Sequence, residues 1–304
     1  MELRHLRYFV AVADEKNFTR AAKQLFIAQP PLSRQIQQLE EELGVPLIEK
    51  SSRPLRLTEA GRFFHTHAQD LLAKAAELKS MTRRVGKIER TLSVGFVAST
   101  LYGLLPEIVR RFRERYTAVA VSLHEMTTIE QIKALKDGAI DVGFGRVRSE
   151  DANIRRILLR EERLLVALPS NHPRSASTDP IRLLDLQAET LIVYPKAPRP
   201  SFADQVLAAF SERSLAPRQV LEVRELQIAI GLVAAGQGVA IVPESVQGMK
   251  RDDVVYRHVA DRHAVSPVLF SARKMDQSQE LRNMLEMIYE IYAETGIAHV
   301  REAL

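Results

Sequence analysis

The chain has 304 residues, 46% of them hydrophobic, which is long enough for two or three domains with buried cores. It contains no cysteine, which excludes disulfides, thiolate nucleophiles and cysteine-ligated metal sites. Residues 1–90 hold 16 Lys and Arg against 11 Asp and Glu, so they carry the whole net charge of +5, and the rest of the chain has 27 of each sign. This asymmetry predicts a polyanionic partner at one end of the molecule.

The sequence predicts neither membrane insertion nor export. No stretch reaches the roughly 18 apolar residues that a membrane-spanning helix needs. The apolar run near the N-terminus is too short and too interrupted for a signal peptide. We therefore expect a soluble, cytoplasmic protein with no membrane partner.

Three short helices are predicted in the first 44 residues, from LRHLRYFVAVADE, NFTRAAKQLFI and QPPLSRQIQQLEEELG. The third has an inner stripe of four apolar residues, Leu32, Ile36, Leu39 and Leu43. Pro30 and Pro31 indicate its abrupt start, because proline is tolerated only in the first turn of a helix. Two short helices joined by a brief turn are typical of a helix-turn-helix.

The outer face of the third helix is suited to reading DNA in its N-terminal half only. Arg34 can fork onto guanine or a phosphate, and Gln29 can bond a base edge. The acidic residues 40–42 at the other end would repel phosphates. A recognition helix that enters a groove by its N-terminus has this asymmetry. The alternative is a solvated amphipathic helix with no partner.

The segment PLIEKSSRPLRLTEAG alternates like a short hairpin with Arg53 and Arg56 near its tip. Such a wing beside a helix-turn-helix commonly reaches the minor groove or the backbone, where arginine is favoured. The alternative is an ordinary charged turn.

A long helix is predicted from near Thr58 to near Gly86. Its apolar residues alternate at four- and three-residue spacing: Phe64, Ala68, Leu71, Ala75 and Leu78. A heptad seam of this length implies a partner helix. The alternative is packing against the same chain, but a second copy suits a helix-turn-helix protein, whose sites usually come in pairs. His65 and His67 are two apart and face different ways, so no metal site is predicted there.

From Leu92 onward, predicted strands alternate with helices. LSVGFVAST, VAVSLHEMTT, AIDVGFGR, LIVYP and VAIVP are the strands, which indicates parallel α/β packing in two lobes. Ligands bind outside the carboxyl ends of such strands. Three of these ends carry hydroxyl residues at a helix start, namely Ser99 and Thr100, Thr127 and Thr128, and Ser201.

Free N–H groups at a helix start can hold a carboxylate. Arg146, at a fourth strand end, adds a fixed cation. Ser99 and Thr128 from one lobe, with Ser201 and Phe202 from the other, can hold the two ends of a small dicarboxylate. In the alternative interpretation the hydroxyls only cap helices, and Arg146 only pairs with Glu125 or Asp141.

No motif predicts catalysis or a cofactor. GLVAAGQG fits neither GxGxxG nor the P-loop, and no Ser-His-acid motif or metal-spaced cluster stands out among the eight histidines. We therefore predict that the protein is not an enzyme and has no metal site. The α/β part alone also permits a solute-binding protein, against which the missing signal peptide and the basic helix-turn-helix argue.

The stretch from LRYFVAVADE to RLTEAG, about sixty residues, resembles the LysR-type transcriptional regulators. VSLHEMTTIEQIKALKDGAIDVGFGR, PRPSFADQV and LQIAIGLVAAGQGVAIVP resemble the branch that controls catechol, benzoate and chlorocatechol degradation. The resemblance implies promoter DNA, RNA polymerase and cis,cis-muconate as partners, and a homotetramer made of two dimers. A chloromuconate, benzoate or another small acid is the alternative effector.

We accordingly predict a winged helix-turn-helix at 1–58, a linker helix at 59–90 and a periplasmic-binding-protein-like effector domain at 91–304. Its lobes lie near 91–162 with 267–304, and near 163–266, joined by crossing segments near 160–165 and 265–270. The implied DNA contacts are Gln29, Pro30, Pro31, Ser33, Arg34 and Arg53. The implied effector contacts are Ser99, Thr100, Thr128, Arg146, Ser201 and Phe202. Arg160 and Glu162 resemble a second, aromatic-acid site, with a surface ion pair as the alternative.

Overall fold

The computed structural model describes residues 1–49, 55–86, 90–261 and 264–304, and it begins with the three predicted helices. They are α1 (Leu3–Glu15), α2 (Phe18–Gln24) and α3 (Gln29–Leu43). Pro30 and Pro31 lie in the first turn of α3, where a missing backbone N–H costs no helical hydrogen bond. The helix ends at Gly44, whose φ of 72° is left-handed and suits glycine. The helix-turn-helix prediction is confirmed.

A small apolar core holds these helices together. Phe9, Leu32 and Leu39 are fully buried in it. Burying side chains of this size contributes about 1.5–3 kcal/mol each. The inner stripe of α3 is shorter than predicted, since Leu43 in the last turn is 37% exposed.

The predicted wing begins as a hairpin. Ile48 pairs with Leu57 in an antiparallel bridge, and the backbone N–H of Glu49 donates to the carbonyl of Arg56 at 2.9 Å. Arg53, predicted near the tip, lies outside the described residues.

A long helix, α4 (Glu59–Gly86), follows the hairpin. Phe64 in its first turns packs edge-on against Phe9, with ring centroids 5.2 Å apart, and Ala68 is buried. Further along the predicted seam, Leu71 and Leu78 are 47% and 67% exposed. Of the helices described, none combines the length and the apolar character needed to cross a bilayer.

Gly61 permits a close approach between α4 and the hairpin. A methyl group added there would meet the carbonyl oxygen of Leu47 at 2.0 Å. We expect Gly61→Ala to lower the free energy of unfolding by about 3 kcal/mol, because backbone must move to relieve the overlap.

Urea unfolding followed by far-ultraviolet circular dichroism measures this change. Gly231→Ala is the matched control, since a methyl group there meets nothing within 4 Å. The control should unfold at the wild-type midpoint or slightly above it. Equal midpoints for Gly61→Ala and the control would contradict the predicted overlap.

The second part of the chain is an α/β structure, as predicted. One compact unit consists of Met1–Val85 with Lys136–Gly138, and the other of Gly86–Leu135 with Ala139–Leu304. The strands of the second unit are β1 (Arg90–Phe96), β2 (Val119–Glu125), β3 (Val142–Gly145), β4 (Ile154–Pro169), β5 (Thr190–Val193), β6 (Gln219–Glu222), β7 (Val239–Pro243), β8 (Val254–His258) and β9 (Val265–Arg273). Its helices are α5 (Leu105–Arg115), α6 (Thr128–Lys136), α7 (Phe202–Ser211), α8 (Leu226–Ala234) and α9 (Gln279–Glu294).

The strands are ordered β2-β1-β3-β9-β4-β7-β5-β6, with β8 also on β4. The β1 strand is parallel to β2 and β3, and β5 is parallel to β6 and β7. The long strands β4 and β9 are antiparallel to each other and connect the two halves of the sheet. They run through the two predicted crossing segments.

Each half of the sheet has its own apolar core, and these two halves are the lobes of the unit. Lobe I packs β1, β3 and the first part of β4 against α5 and α9, around Phe112, Phe144 and Phe270. Lobe II packs β5, β7 and the end of β4 against α7 and α8, around Val166, Ile192 and Phe210. The parallel strands β3, β5 and β7 are almost wholly buried because helices cover the sheet, whereas the edge strands β2 and β6 are largely exposed.

Candidate functional site

A cavity of about 270 Å³ lies between the lobes, where parallel strands of both end. Lobe I contributes residues that follow β1, β2 and β3, among them Ser99, Thr128 and Arg146. Lobe II contributes residues between β5 and α7, and the start of α8. The lining thus brings together five of the six predicted effector contacts: Ser99, Thr128, Arg146, Ser201 and Phe202.

Arg146 is buried and held in one orientation. Its Nε donates to Ser99 Oγ at 2.7 Å, and its Nη2 donates to Glu162 Oε2 at 2.7 Å and to Ser245 Oγ at 3.1 Å. Its Nη1 is buried and has no hydrogen-bond acceptor among the described residues. The guanidinium is therefore a preorganised cation with one donor left over.

The predicted alternative partners of Arg146 were wrong. The carboxylate that it contacts is Glu162, and neither Glu125 nor Asp141. Asp141 instead accepts a hydrogen bond from Arg273 at 3.0 Å. Because Glu162 is on β4, this pairing depends on the sheet order, in which β9 lies between the consecutive strands β3 and β4.

The hydroxyl residues differ in what they bind. Thr128 Oγ1 accepts the backbone N–H of Arg146 at 3.1 Å, while its neighbour Thr127 bonds Glu130 in the first turn of α6. Thr128 therefore positions the end of β3 and does not cap the helix. Ser201 occupies the N-cap position of α7, and Asp204 Oδ2 accepts its backbone N–H at 2.6 Å, but its hydroxyl donates to the carbonyl of Pro195 at 3.0 Å and does not cap the helix.

The structure does not bring Thr100 into this cavity. A short 3-10 helix, Ala98–Tyr102, follows β1, and the Thr100 hydroxyl donates to the carbonyl of Val97 at 2.8 Å. This turn directs Thr100 to a separate cavity of about 20 Å³ in lobe I. The prediction grouped Ser99 and Thr100 because they are adjacent, but successive residues of a tight helix face different ways.

The small cavity is also lined by Arg160, Glu162 and Tyr292. Arg160 forms an ion pair with Glu162 and lies over the Tyr292 ring, 5.7 Å from its centroid. The expectation of a surface ion pair was wrong, since Glu162 is only 4% exposed. Burial raises the pKa of the Glu162 carboxyl, but the charges of Arg146 and Arg160 outweigh burial and hold it below its usual value.

Tyr194 and Arg224 are among the lining residues of the large cavity that the sequence-based prediction missed. Tyr194 follows β5 and is 6% exposed, and its hydroxyl has no partner in the described part of the chain. Arg224 lies exposed just before α8. Tyr194 follows the apolar run LIV at the carboxyl end of a predicted strand, and this position could have indicated a ligand contact.

The predicted DNA-contacting residues lie on the first turns of α3. Gln29, Pro30, Pro31 and Arg34 are exposed, and Gln29 Nε2 donates to Ser33 Oγ at 2.7 Å. Arg34 forms no ion pair with any other described residue. Its guanidinium is therefore available to an external anion.

Residues 40–42 were predicted to form an acidic helix end that repels phosphates, but Glu40 has a structural role. Its Oε1 accepts the backbone N–H groups of Leu47 at 2.7 Å and Ile48 at 2.9 Å. This carboxylate therefore holds the start of the hairpin against α3.

Comparison with known proteins matches both parts of the chain. Residues 3–62 match the bacterial regulatory helix-turn-helix proteins of the lysR family, and residues 86–292 match the LysR substrate binding domain. The chain is 51% identical over 295 residues to the "Probable cat1 operon transcriptional activator" of Acinetobacter lwoffii, covering 97% of each chain. It is 46% identical to the "HTH-type transcriptional regulator BenM" of Acinetobacter baylyi, covering 97% of this chain and 98% of that one.

A solved structure is similar to the α/β part. This is the "BenM effector binding domain with its effector benzoate", at 39% identity and a TM-score of 0.68. The match covers 72% of this chain and 99% of that one.

Proposed function

This chain belongs to the LysR family of bacterial transcriptional regulators, and from that premise we propose that it controls aromatic-compound degradation genes in response to a small dicarboxylate such as cis,cis-muconate. The names of its relatives support the class of target genes, since one is an activator of a cat1 operon. The observation that carries the choice of ligand is Arg146, a buried cation with a spare donor in the lining of a cavity between two lobes. A chloromuconate, benzoate or another small acid is the alternative effector.

One carboxylate of the effector binds at lobe I. Arg146 and the hydroxyls of Ser99 and Thr128 line that side of the cavity. Hydrogen bonds from a charged guanidinium to a carboxylate are among the strong ones in proteins.

The other carboxylate binds at lobe II, near the start of α7. Ser201 and Phe202 line the cavity at the first turn of α7, where the helix dipole favours an anion. Glu125, Glu130 and Glu225 also line the cavity, so its wall is not uniformly positive. The hydrogen-bond donors of the two lobes therefore place the two carboxylates of the effector.

Effector binding shifts the protein towards a closed arrangement of the two lobes. A ligand held by donors from both lobes binds the closed state more tightly than the open one. It can move the equilibrium only by that difference in affinity. The closed state then alters how the regulator engages its promoter.

The DNA-binding surface comprises Gln29, Pro30, Pro31, Ser33 and Arg34 of α3, with Arg53 of the wing. Exposure of the first turns of α3 supports this assignment, as does the Arg34 guanidinium, which has no ion-pair partner among the described residues. We retain residues 1–58 as the winged helix-turn-helix, 59–90 as the linker and 91–304 as the effector domain.

The protein acts in the cytoplasm as a homotetramer, a dimer of dimers that engages RNA polymerase on the promoter. Exposure of Leu71 and Leu78 along α4 supports pairing with the same helix of a second copy, because seam leucines are buried in such pairs. Arg160 and Glu162 form a second effector site beside the small cavity of lobe I, which suits an aromatic acid only if the cavity enlarges.

Calorimetric titration of the full chain tests the ligand assignment. The ligands are cis,cis-muconate, benzoate and the monoacid crotonate, and heat is the appropriate signal because the chain has no tryptophan. We expect binding of muconate in the micromolar range and at least tenfold weaker binding of crotonate, which lacks the second carboxylate. Equal affinities for muconate and crotonate would overturn the assignment of a dicarboxylate.

A further inference from the structure

Two hydrogen-bond donors in the lining of the large cavity have no acceptor in the described parts of the chain. They are the Tyr194 hydroxyl and Arg146 Nη1, and the two side chains are 6% and 3% exposed. Buried polar groups in folded proteins are nearly always paired. The described residues carry eleven such unpaired buried atoms, and these two belong to side chains that line the same cavity, which points to a group that the protein itself does not supply.

Tyr194 is fixed so that its hydroxyl cannot turn to solvent. It directly follows β5, and its ring packs against Phe202, with centroids 5.4 Å apart, within the core of lobe II. For folding alone, phenylalanine would be better at this position, because it fills the same space without an unpaired hydroxyl. The described part of the fold thus provides no hydrogen-bond partner for this hydroxyl.

The chemistry of the missing group follows from the two donors. A guanidinium has no acceptor, and the pKa of the Tyr194 hydroxyl is raised by burial, so that it stays protonated. Both donors therefore need an acceptor with lone pairs, and a carboxylate supplies these on two oxygens. Arg146 belongs to lobe I and Tyr194 to lobe II, so an acceptor that satisfies both would connect the lobes.

We propose that Tyr194 is an effector-binding residue whose hydroxyl donates to a carboxylate of the bound dicarboxylate, while Arg146 Nη1 donates to the same ligand from the opposite lobe. This inference rests on the proposed function, because it concerns the same cavity. It adds to that function a specific hydrogen-bond donor from lobe II, which stabilises the closed arrangement of the two lobes.

Tyr194→Phe in the full chain tests the proposal, with cis,cis-muconate as the probe in calorimetric titration. We expect the Kd for muconate to rise at least tenfold, as for a lost hydrogen bond to a charged group. The melting temperature of the unliganded variant should equal or exceed that of the wild type, since an unpaired hydroxyl has been removed.

Tyr256→Phe is the matched control. Tyr256 is on β8 of lobe II and also has a buried hydroxyl without a partner in the described residues, but it does not line the large cavity. Its variant should bind muconate with wild-type affinity.

Three results would overturn the proposal. The first is a Tyr194→Phe variant that binds muconate within twofold of the wild type, which indicates that bound water satisfies the hydroxyl. The second is weaker binding accompanied by a lower melting temperature of the unliganded variant, which indicates a structural role. The third is a wild-type chain that binds none of the tested acids, which overturns the proposed function and this inference with it.

Discussion

Replacing Arg146 by methionine is expected to weaken muconate binding by at least about 100-fold, the largest effect of any single change in the cavity. The substitution removes the Nη1 donor and the hydrogen bond that orients Ser99. Charge-assisted hydrogen bonds of this kind are worth about 1.5–3 kcal/mol each, so losing two of them gives a reduction of this size. Calorimetric titration measures the change.

The same substitution also destabilises the protein, and a control must separate the two effects. It leaves Glu162 buried with Arg160 as its remaining cation, and breaking a buried ion pair costs about 3–5 kcal/mol. Arg273→Met is the matched control. Arg273 is 5% exposed and forms ion pairs with Asp141 and Asp276, but it does not line the cavity. The control should lose similar stability and keep its affinity for muconate. If both variants lost binding equally, Arg146 would have only a structural role.

Replacing Arg34 by alanine is expected to weaken operator binding by about 10- to 100-fold, while the Kd for muconate stays unchanged. A bidentate contact between arginine and a base is worth about 1–3 kcal/mol. If Arg34 contacts a phosphate instead, the affinity falls for all sequences and the slope of log K against log salt decreases by about 1.

The measurement is fluorescence anisotropy on a DNA fragment selected by the wild-type chain from a genomic library, at several salt concentrations. Arg110→Ala is the control, because Arg110 is an exposed arginine on α5 that pairs with Glu114. It removes one positive charge from the other compact unit of the chain. Equal affinities of the two variants would show that Arg34 acts only through net charge.

Local signals made much of the fold predictable. Two prolines can occupy only the first turn of a helix, so the start of α3 could be read directly from the sequence. Parallel strands meet ligands at their carboxyl ends, so Ser99, Thr128 and Arg146 could be grouped before any distance was known.

The missed features depend on tertiary contacts that the sequence pattern does not show, even between residues only 7 to 16 positions apart. Glu162 contacts Arg146 because the fold brings the crossing strand β4 near the end of β3 with β9 between them, and spacing along the chain holds no sign of this. Glu40 was misinterpreted because its partners, two backbone N–H groups, exist only once the hairpin folds against α3. Tyr194 was overlooked because tyrosine in an apolar strand is usually part of the core.

Footprinting of the full chain on its selected operator, with and without saturating cis,cis-muconate, tests most directly that a ligand in the cavity switches the DNA-bound state. We expect muconate to alter the footprint of the wild type and to leave the footprint of Arg146→Met unchanged. A wild-type footprint identical in both conditions, or an altered footprint that persists in Arg146→Met, would contradict this expectation.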